Sequence, residues 1–225
     1  MELTDFGRYA DEPARDEGRA PVVAEDRVRR AVDIAAAALL LVLAAPLFVL
    51  CALAVLLDSG RPVLFGHLRL GLGGRPFRCW KFRTMEVGAE ERLRREPALR
   101  RLYVENGYKV PTRADPRVTR VGRWLRRTYA DELPQLFNVL AGSMTLVGPR
   151  PIVPEELACY GAGAAELLSA KPGLFGEWTS RGRRRPDYPE RARLELDYVR
   201  HRSVRRDLRI LARSIPVVLR GQAEP

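Results

Sequence analysis

Cysteine, histidine and lysine are all scarce in this 225-residue chain. Its three cysteines (Cys51, Cys79, Cys159) form no CxxC pair, which excludes a disulfide scaffold. With only two histidines, a zinc site built from Cys and His is nearly excluded too. Aromatic residues make up 8% and no nucleic-acid-binding motif is present, which weighs against nucleic acid as a partner. Internal repeats and low-complexity linkers are missing from the body of the chain. Of 39 basic residues only Lys81, Lys109 and Lys171 are lysines. Arginine suits bidentate phosphate contacts, although a GC-rich coding bias would leave the same mark.

What is present is positive charge and one long apolar run. The net charge is +11, so the partner carries negative charge: phosphate, nucleic acid and an anionic membrane surface are all open. That charge is uneven. Residues 1–33 sum to −3, whereas residues 59–225 carry +15. Residues 1–26 show no apolar period and read as a flexible tail. From Ile34 to Leu57, 24 consecutive residues carry no charge, enough to cross a bilayer. The run is too long and starts too late for a signal peptide, and no cleavage site follows it. A buried core helix of this apolarity is unusual, so residues 27–58 are read as membrane-inserted. Arg27, Arg29 and Arg30 precede the run, and Arg61, Arg69, Arg75 and Arg78 follow it, so the positive-inside rule gives no direction. Pro46 stands mid-run, where it should break or kink the helix. Entry and exit by one face, and a kinked span, both remain open.

Residues 59–225 read as one α+β domain, mostly helical. A strand over 63–66, a Gly-Gly turn within 70–77 and a return strand over 78–84 predict a small β-hairpin. Helical spacing recurs over 89–104, 131–141, 190–200 and 204–220. The last is amphipathic, suited either to a membrane surface or to the domain core.

Asp131 and Glu132 are the strongest chemical candidates. They are adjacent carboxylates just before Pro134, where a helix start can turn both toward one pocket. A carboxylate nucleophile attacking phosphorus, with Mg²⁺ shared by its neighbour, would use such a pair. Plain helix capping would use it as well. Lys81 and Arg83 alternate on a predicted strand and point to one side as a phosphate clamp. Arg126 lies in a basic stretch shortly before Asp131. Pro149 and Pro151 hold the backbone of Arg150 rigid. A later segment, 171–183, combines glycines, Trp178 and several arginines, yet forms no Walker A or GxGxxG loop.

In this order the segments resemble the bacterial sugar transferase family, the monotopic polyprenyl-phosphate phosphoglycosyl transferases. The resemblance is carried by the apolar helix with its central Pro, RLGLGGRPF (69–77) and KFRTM (81–85). It continues through DPRVTRVGRWLRR (115–127), DELPQLFNVLAGSMTLVGPRP (131–151), KPGLFGEW (171–178) and a closing LELDYV…DLRIL. It implies transfer of a sugar 1-phosphate from a UDP-sugar to a polyprenyl (undecaprenyl) phosphate, with UMP released. It also implies a covalent intermediate on Asp131, assisted by Glu132 and Mg²⁺. By the same analogy Lys81, Arg83, Arg126 and Arg183 handle phosphate charge, and Pro149, Arg150 and Pro151 bind the nucleotide. The helix is then re-entrant, broken at Pro46, with the catalytic domain on the cytoplasmic face of the cell membrane. Such a protein initiates exopolysaccharide or glycan assembly. Ala45-Pro46 departs from the family's common Ser-Pro, and Ala130 from a larger aliphatic residue. The competing readings are a membrane-tethered basic module that binds nucleic acid or anionic lipid, and an inactive relative. A homodimer is compatible with the sequence, though no segment argues for one.

Overall fold

The 24 uncharged residues fall inside one longer helix, α1 (Val22–Ser59). The computed structural model describes residues 22–108 and 110–221; the side chains of residues 22–26, 183 and 184 fall outside that description. The tail expected over 1–26 therefore lies outside the described residues up to position 21, and from Val22 the chain is already helical. The helix continues without interruption through Pro46, so the expected break is not seen. Pro46 removes one N–H, but the Ala- and Leu-rich turns on either side keep their own hydrogen bonds. Its ring lies on the exposed face, where it disturbs no packing.

One stripe of α1 rests on the domain along most of the helix. Asp33, Ala37, Leu41, Ala44, Phe48, Cys51 and Val55 follow each other at three- and four-residue steps and are buried or half-buried. The opposite face, including Val42 at 72% and Leu57 at 86% exposure, is apolar and uncovered. Both ends are tied down by polar contacts. Near the start, Arg29 pairs with Asp207 at 3.0 Å. Arg30 donates to the carbonyl of Leu140 at 2.7 Å. Asp33 accepts from the Thr145 hydroxyl at 2.7 Å and the Leu146 amide at 3.0 Å. Near the end, Asp58 accepts from the Val121 amide at 3.1 Å, and Arg83 donates to the Ser59 carbonyl at 2.6 Å.

The predicted hairpin is present. Strands β1 (Leu64–Leu70) and β2 (Pro76–Phe82) pair antiparallel, with Leu64 opposite Phe82 and Leu70 opposite Pro76. Its turn needs positive φ at Gly73 (64°) and Gly74 (74°), as the glycine pair implied. The helix predicted over 89–104 is split into α2 (Ala89–Arg95) and α3 (Pro97–Glu105). Pro97 forces Glu96 out of the helical region, so one helix cannot run through. Helix α4 (Arg120–Thr128) is capped by the Thr119 hydroxyl. Its Gly122 lies so close to the Thr84 carbonyl that a Cβ would stand 2.0 Å from that oxygen.

Helix α5 (Gln135–Ala141) and strand β3 (Thr145–Val147) follow, and then α6 (Ala164–Leu168). Strand β4 (Gly173–Phe175) pairs parallel with β3, and α7 (Glu190–Arg200) and α8 (Val204–Leu219) close the chain. Among the described residues the result is a mostly helical α+β fold with two small sheets. Ala37 of α1 belongs to a core with Leu136, Val139, Met144 and Tyr198. Cys51 and Val55 belong to another with Phe82 and Leu125. Both cores reach β2, the first through Cys79 and the second through Phe82, and the second also holds Ala130, the residue before the acid pair.

Candidate active site

The acid pair sits in a tight turn between two helices, not in the first turn of α5. Helix α4 ends at Tyr129, whose φ of 59° reverses the chain. Ala130–Glu132 then form a single 3₁₀ turn, and α5 begins only at Gln135. Pro134, which lacks an N–H, explains the late start.

Lys81 on β2 holds the pair together. Its Nζ lies 2.7 Å from Glu132 Oε1 and 3.9 Å from Asp131 Oδ2. Glu132 lines a narrow cavity with Lys81, Arg69, Arg150, Pro151 and Gln135. Burial would raise the Glu132 carboxyl, but Lys81, Arg150 and Arg185 outweigh it and hold the pKa down at about 2. Glu132 is therefore anionic at any physiological pH. Asp131 is 7% exposed and meets the same ammonium. His67, on the facing strand, is pushed down to about 3 by burial, then by Arg69 and Lys81. Its imidazole is neutral, so it adds no charge.

Other expected residues divide. Arg150 lines the cavity, with its guanidinium 5.3 Å from the Trp178 ring centroid. Pro151 lines it too, while the Pro149 carbonyl accepts from the Gly173 amide at 2.8 Å and joins the loop to β4. Arg83 does not share a clamp with Lys81. It lies beyond the end of β2, 5% exposed, and its Nη2 is spent on the carbonyls of Ser59 and Gly60 and the Ser59 hydroxyl. Strand alternation placed it beside Lys81, but the strand ends at Phe82 and the chain turns. Arg126 donates to the hydroxyls of Thr84 at 3.0 Å and Thr112 at 3.4 Å and does not line the cavity. The Arg183 side chain lies outside the described residues.

A buried polar network behind the Pro-Arg-Pro loop was not foreseen. Glu195, 1% exposed, accepts from the Arg150 backbone amide at 3.3 Å and from Tyr160 Oη at 2.6 Å. Arg69 donates to the Pro151 carbonyl at 3.1 Å. Arg191 pairs with Glu156 at 2.9 Å and with Glu195 at 3.7 Å, its guanidinium 4.5 Å from the Trp178 ring centroid. Burial raises the Glu195 carboxyl, with Arg191 opposing that shift. The loop is thus held through its backbone, which leaves the Arg150 guanidinium directed to the cavity.

The donor set suits a hard cation. A cationic group already bridges Asp131 and Glu132, and Mg²⁺ takes one or two protein carboxylates when phosphate oxygens complete its shell. Asp131 and Glu132 would supply those oxygens. Among the described residues no group of three or more His, Cys, Asp or Glu is placed to hold a metal ion.

The site is thus an acid pair bridged by an ammonium, beside a cavity lined by Arg69 and Arg150, in a domain whose α1 presents one bare apolar face. The family model for "Bacterial sugar transferase" matches residues 24–221, and the chain belongs to that family. It is 41% identical over 196 residues to the undecaprenyl-phosphate galactose phosphotransferase of Salmonella typhimurium, covering 86% of this chain. The chain spans only 40% of that relative's length. Against the exopolysaccharide production protein ExoY of Rhizobium meliloti it is 41% identical, covering 84% of each chain. The UDP-glucose:undecaprenyl-phosphate glucose-1-phosphate transferase of Caulobacter vibrioides is 42% identical over 212 residues, covering 90% of this chain and 73% of the relative.

Proposed function

We propose that this chain transfers a sugar 1-phosphate from a UDP-sugar to polyprenyl phosphate, releasing UMP, and so initiates an exopolysaccharide or related glycan. The observation that carries the reading is Lys81 set between Asp131 and Glu132, beside a cavity that Lys81, Glu132 and Arg150 line and Asp131 does not. The relatives' names supply the reaction class, and because they name both galactose and glucose, the sugar is left open.

Asp131 is the nucleophile. Its carboxylate oxygen bonds to the β-phosphorus of the donor as the bond from that phosphorus to the bridging oxygen breaks, and UMP leaves with the electron pair. A phosphate oxygen of the polyprenyl phosphate then attacks the same phosphorus. The Asp131 carboxylate departs, and polyprenyl-diphosphate-sugar forms. Lys81 and Arg150 balance the charge of the diphosphate, which an anionic nucleophile could not otherwise approach. Glu132 fixes Lys81 and offers a second oxygen to the cation. Mg²⁺, held by Asp131 and Glu132, would neutralise the donor's phosphates and the departing UMP.

Purified protein given undecaprenyl phosphate, Mg²⁺ and a panel of UDP-sugars should release UMP with at least one donor. Release should require the lipid for turnover and stop in EDTA. A folded protein that releases no UMP from any donor would contradict the reading.

We also propose a monotopic arrangement, with the catalytic domain on the cytoplasmic side. At 1.5 Å per residue α1 is roughly 57 Å long. It is fastened near both ends to one polar domain through Arg29, Asp33 and Asp58. A perpendicular span would drag that domain's polar surface into lipid. With the apolar face down, α1 instead lies in or dips into one leaflet. Val204, Leu208 and Ile215 of α8 extend the exposed apolar surface, with Arg205 and Arg209 exposed beside them to meet lipid phosphates. Impermeant thiol labelling of Ala20→Cys and Arg61→Cys should find both positions on the cytoplasmic side. Labelling from opposite sides would establish a true span.

A further inference from the structure

Among the described residues only Tyr108 and Tyr129 combine a side chain with a positive φ. Tyr129 stands where the acid pair begins. Its φ of 59° and ψ of 8° end α4, and its carbonyl accepts from the Glu132 amide at 3.1 Å. The single turn that carries Asp131 and Glu132 therefore starts from this residue. A bulky side chain seldom adopts the left-handed conformation, whereas glycine does so freely. Such a conformation persists where the surrounding structure holds it.

Arg185 grips the Tyr129 side chain. Its Nη2 donates to Tyr129 Oη, and its guanidinium stands 5.6 Å from the Tyr129 ring centroid. Arg185 is itself fixed. The same nitrogen donates to the Thr179 carbonyl at 3.4 Å, and the guanidinium lies 4.9 Å from the Trp178 ring centroid. Trp178, 3% exposed, is anchored through its Nε1, which donates to the Pro186 carbonyl at 2.7 Å. The Arg150 guanidinium, which lines the cavity, meets the same indole at 5.3 Å. One buried ring thus touches both the cavity's cation and the arginine that holds the acid pair's turn.

We infer that Arg185 is a positioning residue: through Tyr129 it holds the Asp131–Glu132 turn in register with the Arg150 guanidinium. Its effect on rate rests on the transfer reading above. A shift of about 1 Å between an attacking atom and its target costs on the order of 100-fold in rate.

Arg185→Met keeps much of the stem's bulk and removes the donors. In the UMP-release assay its kcat should fall about 10- to 100-fold. KM for the donor, and UDP affinity by titration calorimetry, should match wild type. Tyr129→Gly adopts the turn without a grip, so in that background Arg185→Met should cost less than about threefold more. Hydrogen exchange read by mass spectrometry needs no turnover. The peptide holding the Glu132 amide should exchange faster in Arg185→Met, while α7 exchanges as in wild type. Tyr129→Phe, which loses one oxygen, should reproduce part of both effects and guards against misfolding of the first variant. An equal loss with and without Tyr129→Gly, a weakened UDP affinity, or unchanged exchange at Glu132 would overturn the assignment. Wild-type protein that releases no UMP from any donor would defeat the transfer reading instead, and the exchange result would still decide whether Arg185 holds the turn.

Discussion

Asp131→Asn is expected to reduce UMP release by roughly 10⁴-fold or more, the scale seen when a nucleophile is removed and the rest of the site stays intact. The substitution is nearly isosteric, and the second carboxylate keeps its 2.7 Å contact to Lys81. Expression, membrane association and thermal stability should therefore follow wild type. The prediction separates the two main readings. If the domain were a tethered basic module, binding would come from its cations, and an Asp131→Asn protein would function normally. Appreciable residual transfer would remove Asp131 from the nucleophile's role. Glu132→Gln should be milder, because it weakens the hold on Lys81 without removing the attacking atom.

Arg191→Met should have the largest effect on stability, about 3–5 kcal/mol, the cost of leaving the buried Glu195 carboxylate without its cation and Glu156 with Arg69 alone, at 3.4 Å. Glu156 and Glu195 are 4% and 1% exposed, so neither can recover hydration when the guanidinium is gone. Burial alone would lower the Arg191 pKa, yet Glu195 and Glu156 drive it upward, so the three groups depend on one another. Arg193→Met, two residues on, is the matched control. Arg193 pairs with Glu190 at 3.2 Å but its side chain is 75% exposed, so its removal should cost less than about 1 kcal/mol. Chemical denaturation in detergent, followed by tryptophan fluorescence, measures both. Equal losses for the two variants would mean that the buried network does not stabilise the fold. Because Glu195 holds the Arg150 amide, Arg191→Met should also raise KM for the donor by displacing the loop.

Local features were legible in the sequence and long-range ones were not. Gly73-Gly74 followed by Pro76 announced the hairpin, and the spacing over 190–200 matched α7 (Glu190–Arg200). Alternation on β2 turned Lys81 toward the acid pair, but it overreached at Arg83, where the strand had already ended. Arg126 lies near Asp131 in sequence and bonds instead to Thr84 and Thr112. Pro46 looked like a break, yet the α1 helix is continuous through it. The network of Arg69, Glu156, Arg191 and Glu195 joins residues far apart along the chain, and no spacing rule reveals such a set. Its one visible sign was the number of charged residues in stretches that also carry apolar periodicity, such as Glu195 beside Leu194 and Leu196.

The most direct test of transfer through Asp131 is to supply a UDP-sugar labelled in the β-phosphate while withholding the lipid. The wild-type chain should retain label covalently on Asp131, release a single equivalent of UMP, and give the label up when polyprenyl phosphate is added. Asp131→Asn should retain none. UMP release that begins only with lipid present, with no label on the protein at any time, would contradict the account.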